Sequence, residues 1–128
     1  MDQKRLRVAL FGRFYSEGGE SIESQKDKLR QEAKKRDYEV VDEFWEEDLS
    51  FDLTLEERPE MKRFITSVWT NVLNIDGLFL PDYENLSVIS RKEHVTLMVL
   101  FEQNDVAVIT IDAIYRPDGF CLNKMMLP

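Results

Sequence analysis

A single cysteine, Cys121, excludes an internal disulfide. A single histidine, His94, with no second histidine or cysteine at ligand spacing, argues against a metal site. No apolar run is long enough to span a membrane. The opening Met1-Asp2-Gln3-Lys4-Arg5 leads into a short strand-like run, not a cleavable apolar segment, so the expected setting is cytoplasmic. Positive charge is also in deficit: 17 Lys and Arg stand against 25 Asp and Glu, a net charge of −8. A nucleic-acid binder usually carries a basic patch. Here a basic face could only be local, at Lys4, Arg5 and Arg7, or at Lys26, Lys28, Arg30, Lys34, Lys35 and Arg36. The second set, balanced by Asp27 and Glu32, reads as a solvated helix face. DNA binding by this chain alone is expected to be weak or absent.

What the chain does hold is enough for one core. With 128 residues, 43% hydrophobic and 33% charged with mixed signs, residues 1–128 are expected to form a single folded domain. No internal repeat, low-complexity segment or linker divides it.

Leu6 to Gly12 form a short apolar run that suits a buried strand. A loop with Gly18 and Gly19 follows. Ser21 is placed to cap a helix running to about Arg36, with Ile22, Leu29 and Ala33 on one face. Tyr38 to Trp45 read as a second strand, and Glu46 to Glu57 as an acidic loop. Pro59 fits the first turn of a second helix, in which Met61, Phe64, Ile65, Val68 and Trp69 fall at helical spacing. Gly77 to Leu80 make a third strand, Ser90 to Gln103 a third helix, and Val106 to Ile111 a fourth strand. The alternation predicts an α/β fold: an open, mainly parallel sheet of four strands or slightly more, with helices on both faces.

In such sheets, sites form beyond the carboxyl ends of the strands. The first such loop, Gly12 to Gly19, matches neither a dinucleotide fingerprint nor a P-loop. It reads as a plain connection, although Arg13, just after a buried run, is a fair anion-binding candidate. Glu46, Glu47, Asp48 and Asp52 lack the spacing of a calcium loop and read as solvated. No cofactor is expected. His94 is expected on the face of the third helix, and Tyr83 and Glu84 at the surface. Trp45 and Trp69 read as packing residues. Met125, Met126 and Leu127 form an apolar tail.

Val8-Ala9-Leu10-Phe11-Gly12-Arg13, then Ser21-Ile22-Glu23-Ser24-Gln25, resemble the opening of the catalytic domain of serine recombinases, the resolvase, invertase and large serine integrase family. The likeness continues through Tyr38-Glu39-Val40-Val41, the loop with Asp48 and Ser50, and Glu57-Arg58-Pro59-Glu60-Met61, and covers about residues 6 to 112. It implies a chemistry in which a serine hydroxyl attacks a DNA phosphodiester without metal, while arginines stabilise the phosphoryl oxygens.

Against that pattern, Arg13, Gln25 and Arg58 match family positions. The nucleophile position holds Tyr15, and Phe14 replaces a small aliphatic residue. Where the family carries Asp-Arg-Leu-Ser-Arg, this chain has Glu84-Asn85-Leu86-Ser87-Val88, so Asn85 and Val88 stand at the two arginine positions. Removing one preorganised charge donor typically costs ~100- to 1000-fold in rate. A phenol oxygen also stands several Å beyond a serine oxygen, and a misplacement of ~1 Å can cost ~100-fold. Ser16 could serve only if the loop shifted by one residue. The resemblance thus implies a domain without strand cleavage. It also implies that the family's long dimerisation helix and DNA-binding domain are absent from this chain.

Three functions follow as expectations. The first is a degenerate recombinase-like domain, in the setting of phage and mobile elements, that contacts an active recombinase or itself. The second is a divergent recombinase or nicking enzyme using Ser16 or Tyr15 with Arg13 and Arg58. The third is a small phosphate-ligand binder using Arg13 and the Gly18-Gly19 loop.

Overall fold

The computed structural model describes residues 5–16 and 19–116. Gly18 and the apolar residues Met125, Met126 and Leu127 lie outside the described residues. Strand β1 (Arg7–Phe14) is followed by α1 (Ile22–Lys35), β2 (Glu39–Glu47), α2 (Pro59–Trp69), β3 (Gly77–Phe79), α3 (Arg91–Gln103), β4 (Ala107–Ile109) and β5 (Ile114–Tyr115). Single 3-10 turns at Leu55–Glu57 and Tyr83–Leu86 precede α2 and α3. The sheet runs β2-β1-β3-β4-β5. Its first four strands pair in parallel and β5 is antiparallel to β4.

Period-two alternation divides the sheet's side chains between two cores. Ala9, Phe11, Phe44, Leu78 and Val108 face α2 and α3, where they meet Met61, Phe64, Val68, Leu97 and Phe101. Val8, Leu10, Phe79 and Ile109 face α1, through Leu29 and Ala33. The expected helices on both faces are present.

Local chemistry sets the helix ends. Ser21 and Ser90 cap α1 and α3 by accepting the backbone N–H groups of Ser24 and Glu93 at 3.0 and 3.2 Å. Pro59 opens α2. All three helices close on an Asx residue in the left-handed region instead of a glycine: Asp37, Asn71 and Asp105, with φ of 60, 61 and 53°. At each, two backbone bonds complete a Schellman motif. For α1 these are Asp37 N–H to the Lys34 carbonyl and Tyr38 N–H to the Ala33 carbonyl, both 3.0 Å.

Several expectations need correction. The fourth strand is shorter than Val106 to Ile111, because Thr110 turns the chain. Its hydroxyl accepts the N–H groups of Asp112 and Ala113, and the backbone reverses into β5, which the sequence reading did not foresee. Trp69 is not a core residue. It sits at the last turn of α2 and is 49% exposed, whereas Trp45 packs as expected, its ring stacked on Phe14 at 5.6 Å. Glu46 and Glu47 belong to β2, not to an acidic loop, and Glu46 is buried.

Candidate functional site

β1 carries Arg13 to the carboxyl edge of the sheet, where it is buried. Its side chain is engaged on three sides. Nη2 donates to the Ser50 carbonyl at 2.6 Å, the guanidinium lies 5.0 Å over the Phe51 ring, and Nε stands 3.8 Å from Glu46 Oε1. That Nε has no hydrogen-bond partner among the described residues.

Glu46 explains its own burial. Counting along β2 from Phe44, it falls on the same face, toward α2. Arg58, at the entrance to α2, meets it with a fork: Nε to Oε2 at 2.8 Å and Nη2 to Oε1 at 2.7 Å. The remaining Nη1 donates to the Ser87 carbonyl at 3.1 Å. Arg58 is 0% exposed. Arg13 and Arg58, the two arginines that the sequence resemblance singles out, therefore converge on one carboxylate. Sequence reasoning missed Glu46, although the period-two phase from Phe44 marks it as inward-facing.

Tyr15 follows Arg13 into the loop. Its ring stacks on Phe51 at 5.0 Å, and its hydroxyl is buried without a partner among the described residues. Gln25, in the first turns of α1, donates to the Tyr15 carbonyl at 3.3 Å and so holds the loop to the helix. Ser16 is exposed and tied to Asp48. Its N–H donates to Asp48 Oδ1 at 2.8 Å, and its hydroxyl lies 3.0 and 3.1 Å from the two carboxylate oxygens. Asp48 holds a left-handed φ of 54°, and its N–H donates to the Phe14 carbonyl at 2.8 Å, which continues the β1–β2 ladder past the strand.

The segment after β3 places Glu84, Asn85 and Val88. Asn85 is buried and acts as a clasp. Its Oδ1 accepts the Arg13 backbone N–H at 2.7 Å, and its Nδ2 donates to the Asp82 carbonyl at 3.0 Å. Val88 packs against the core, and Glu84 is exposed. Tyr83 is partly buried, contrary to a surface position, with its ring stacked on Tyr115 at 5.5 Å.

The structure thus gathers Arg13, Tyr15, Ser16, Asp48, Arg58 and Asn85 around the ends of β1 and β2. Val88 joins the core instead, and Glu84 faces solvent. His94 is partly buried on α3, and that burial, with the charge of nearby Arg91, pulls its imidazole below the ordinary value. Among the described residues no acidic, histidine and cysteine group is placed to hold a metal ion. Of the four acidic residues weighed as a cation site, Glu46 faces Arg58 and Glu47 accepts from Lys26 at 2.6 Å.

The basic residues of α1 are also largely neutralised. Arg30 forks onto Glu43 at 3.0 and 2.8 Å, and its hydrogen bonds hold the Glu43 carboxyl below the usual range against the opposing pull of burial. Lys26 is held above its ordinary value, chiefly by its hydrogen bond to Glu47. Arg36 bonds Glu32 and the Ile111 carbonyl. Lys26 is buried, and these side chains brace the helix against the sheet, so the face is charge-balanced but not simply solvated as expected.

Comparison with known proteins agrees with this architecture. The catalytic domain of TP901-1 integrase aligns with a TM-score of 0.70 at 22% identity, covering 93% of this chain and 88% of that one. A resolvase family site-specific recombinase from Streptococcus pneumoniae aligns with a TM-score of 0.71 at 15% identity, covering 94% and 83%. At such identities the likeness is one of fold. No curated protein sequence matches significantly. The family description "Resolvase, N terminal domain" matches residues 8–127. With nearly the whole chain matched and the same sheet and helices in place, this protein belongs to the resolvase N-terminal domain family.

Proposed function

We propose that this chain is a resolvase-family domain that does not cleave DNA and acts in recombination through contacts with an active recombinase or with a second copy of itself. One observation carries the reading: the two arginines that match the family, Arg13 and Arg58, both face the buried carboxylate of Glu46. Charge already committed to an internal partner is not available to a phosphoryl group. The absence of arginine at positions 85 and 88 supports the same reading, as does Tyr15, whose ring stacks on Phe51 and whose hydroxyl is buried.

A trapping assay tests it. The protein is incubated with nicked and supercoiled DNA, quenched in denaturant and weighed beside an active recombinase. The expected mass is that of the free chain. A second reading is favoured by the hydrogen bond between Ser16 and Asp48, in which a carboxylate could take the proton of an attacking hydroxyl. An adduct mapped to Ser16 would establish that reading and overturn the first. Sedimentation of the chain, alone and mixed with an active resolvase-family recombinase, tests the contacts. The expected result is a self-associated or mixed species, and finding neither counts against the proposal.

A further inference from the structure

We propose that the cleft along α1, at the carboxyl ends of β1, β3 and β4, binds a small amphipathic carboxylate. The apolar body of the ligand lies on Phe14 and Ile111, and its charged end beside Lys35. The proposal goes beyond the reading of the chain as a recombination partner and does not depend on it. The chain leaves β1 for β2 on one side and leaves β3 for β4 on the other. A crevice opens at such a switch point, outside the carboxyl ends of the strands. Here it measures about 550 Å³, a size that takes a small ligand.

Phe14 builds the floor. It falls in phase with Val8 and Leu10, toward α1, and so on the face of the sheet opposite Glu46. Its ring folds back over Gly12, where a Cβ would stand 2.3 Å from Phe14 Cζ, and it stacks on Trp45. Only glycine permits that approach. Phe14 also stands where the sequence resemblance implies a small aliphatic residue, so this floor belongs to the present chain. Leu29, Pro81 and Ile111 complete the apolar lining. Ile111 is 41% exposed.

Charge selects the ligand. Toward the end of α1, two cations share Glu32: Oε2 meets Arg36 Nε at 3.1 Å, and Oε1 lies 3.8 Å from Lys35 Nζ. Arg36 is fixed further by the Ile111 carbonyl at 2.8 Å. One positive charge is left over, and Lys35 is the exposed, loosely held member. Toward the start of the helix, Lys28 and Glu20 balance in a 2.6 Å pair. An apolar floor beside one surplus cation fits a monoanion with an apolar body.

Titration of the isotopically labelled protein with naphthoate, followed by amide chemical shifts at about 20 mM ionic strength, tests the proposal. Saturating shifts are expected at the cleft, Lys35 and Ile111 among them. Naphthylmethanol, with the same rings and no charge, should bind about threefold more weakly or worse, although the net charge of −8 works against the anion. Lys35→Gln should erase that difference. Ile111→Glu should weaken naphthoate about fivefold or more, through lost apolar contact and added like charge. Both residues are exposed, so both variants should fold. Lys34→Gln, outside the cleft, should bind as the parent does. Shifts that scatter or fail to saturate overturn the proposal. So does equal affinity for the alcohol, or an undiminished preference for the anion in Lys35→Gln.

Discussion

Replacing Arg58 by Ala is expected to cost about 3–5 kcal/mol of folding free energy, because it removes both hydrogen bonds of the fork from the buried Glu46 carboxylate and leaves only Arg13, whose Nε stands 3.8 Å away without a hydrogen bond. Total stabilities of domains lie near 5–15 kcal/mol. With a slope of about 1.5 kcal/mol per molar urea, the unfolding midpoint should fall by roughly 2–3 M. Arg63→Ala, on the same helix, is the control. Arg63 makes ion pairs with Asp42 and Glu60 at 3.1 and 2.9 Å, but it is exposed. Its loss should cost about 1 kcal/mol or less. The contrast separates two roles. An arginine held ready for DNA phosphate would be stabilised little by the free protein, and its removal would be mild. A loss below about 1 kcal/mol at Arg58 would therefore return it to the active-site role that the family resemblance implies.

Asn85→Ala should be the second most damaging change at this site, at about 1–3 kcal/mol in the same urea titration. The side chain joins two sequence-distant segments by accepting the Arg13 N–H and donating to Asp82. Truncation leaves the Arg13 N–H buried and unpaired, and the desolvation of that group sets the cost. The sequence resemblance implies that Asn85 stands at an arginine position of the reaction site, and a residue with that role alone would carry no stability. If Asn85→Ala is as stable as the parent, the clasp contributes nothing and the position is simply vacant of function.

The elements carrying the strongest periodicity were readable directly. Helix α2 follows from Met61, Phe64 and Val68, all buried as their spacing implies, and Pro59 marks its start. The end of β2 was misread because Glu46-Glu47-Asp48 is acidic, and composition was allowed to outweigh phase. Alternation from Phe44 puts Glu46 inward, but its tolerance there depends on Arg58, twelve residues on, and no local rule supplies that partner. Trp69 erred in the opposite direction. It sits in phase with Phe64 and Val68, yet at the last turn, where the core ends. Strand β5 has only two residues and depends on the Thr110 turn. The ends of α1 and α3 were legible, at about Arg36 and at Gln103, although the residues that turn the chain there are Asp37 and Asp105 and not glycine. At the site, the identities of Arg13, Tyr15, Asn85 and Val88 were legible. That Asn85 braces Arg13, and that Glu46 occupies both arginines, required coordinates.

The strand order has a consequence for how the chain comes into being. β1 is made first but sits inside the sheet, between β2 and β3. Its Val8, Ala9 and Leu10 pair with Gly77, Leu78 and Phe79. As the polypeptide leaves the ribosome, β2 can join β1 early, since only α1 separates them. The other edge of β1 stays open until some seventy more residues have emerged, and β3 in turn waits for β4. Through that interval a row of unsatisfied backbone groups lies beside an apolar strand, which is the condition for pairing with a wrong chain. Large sequence separation between paired strands also slows closure. For this fold, the nascent chain is most vulnerable while β1 waits for its second neighbour.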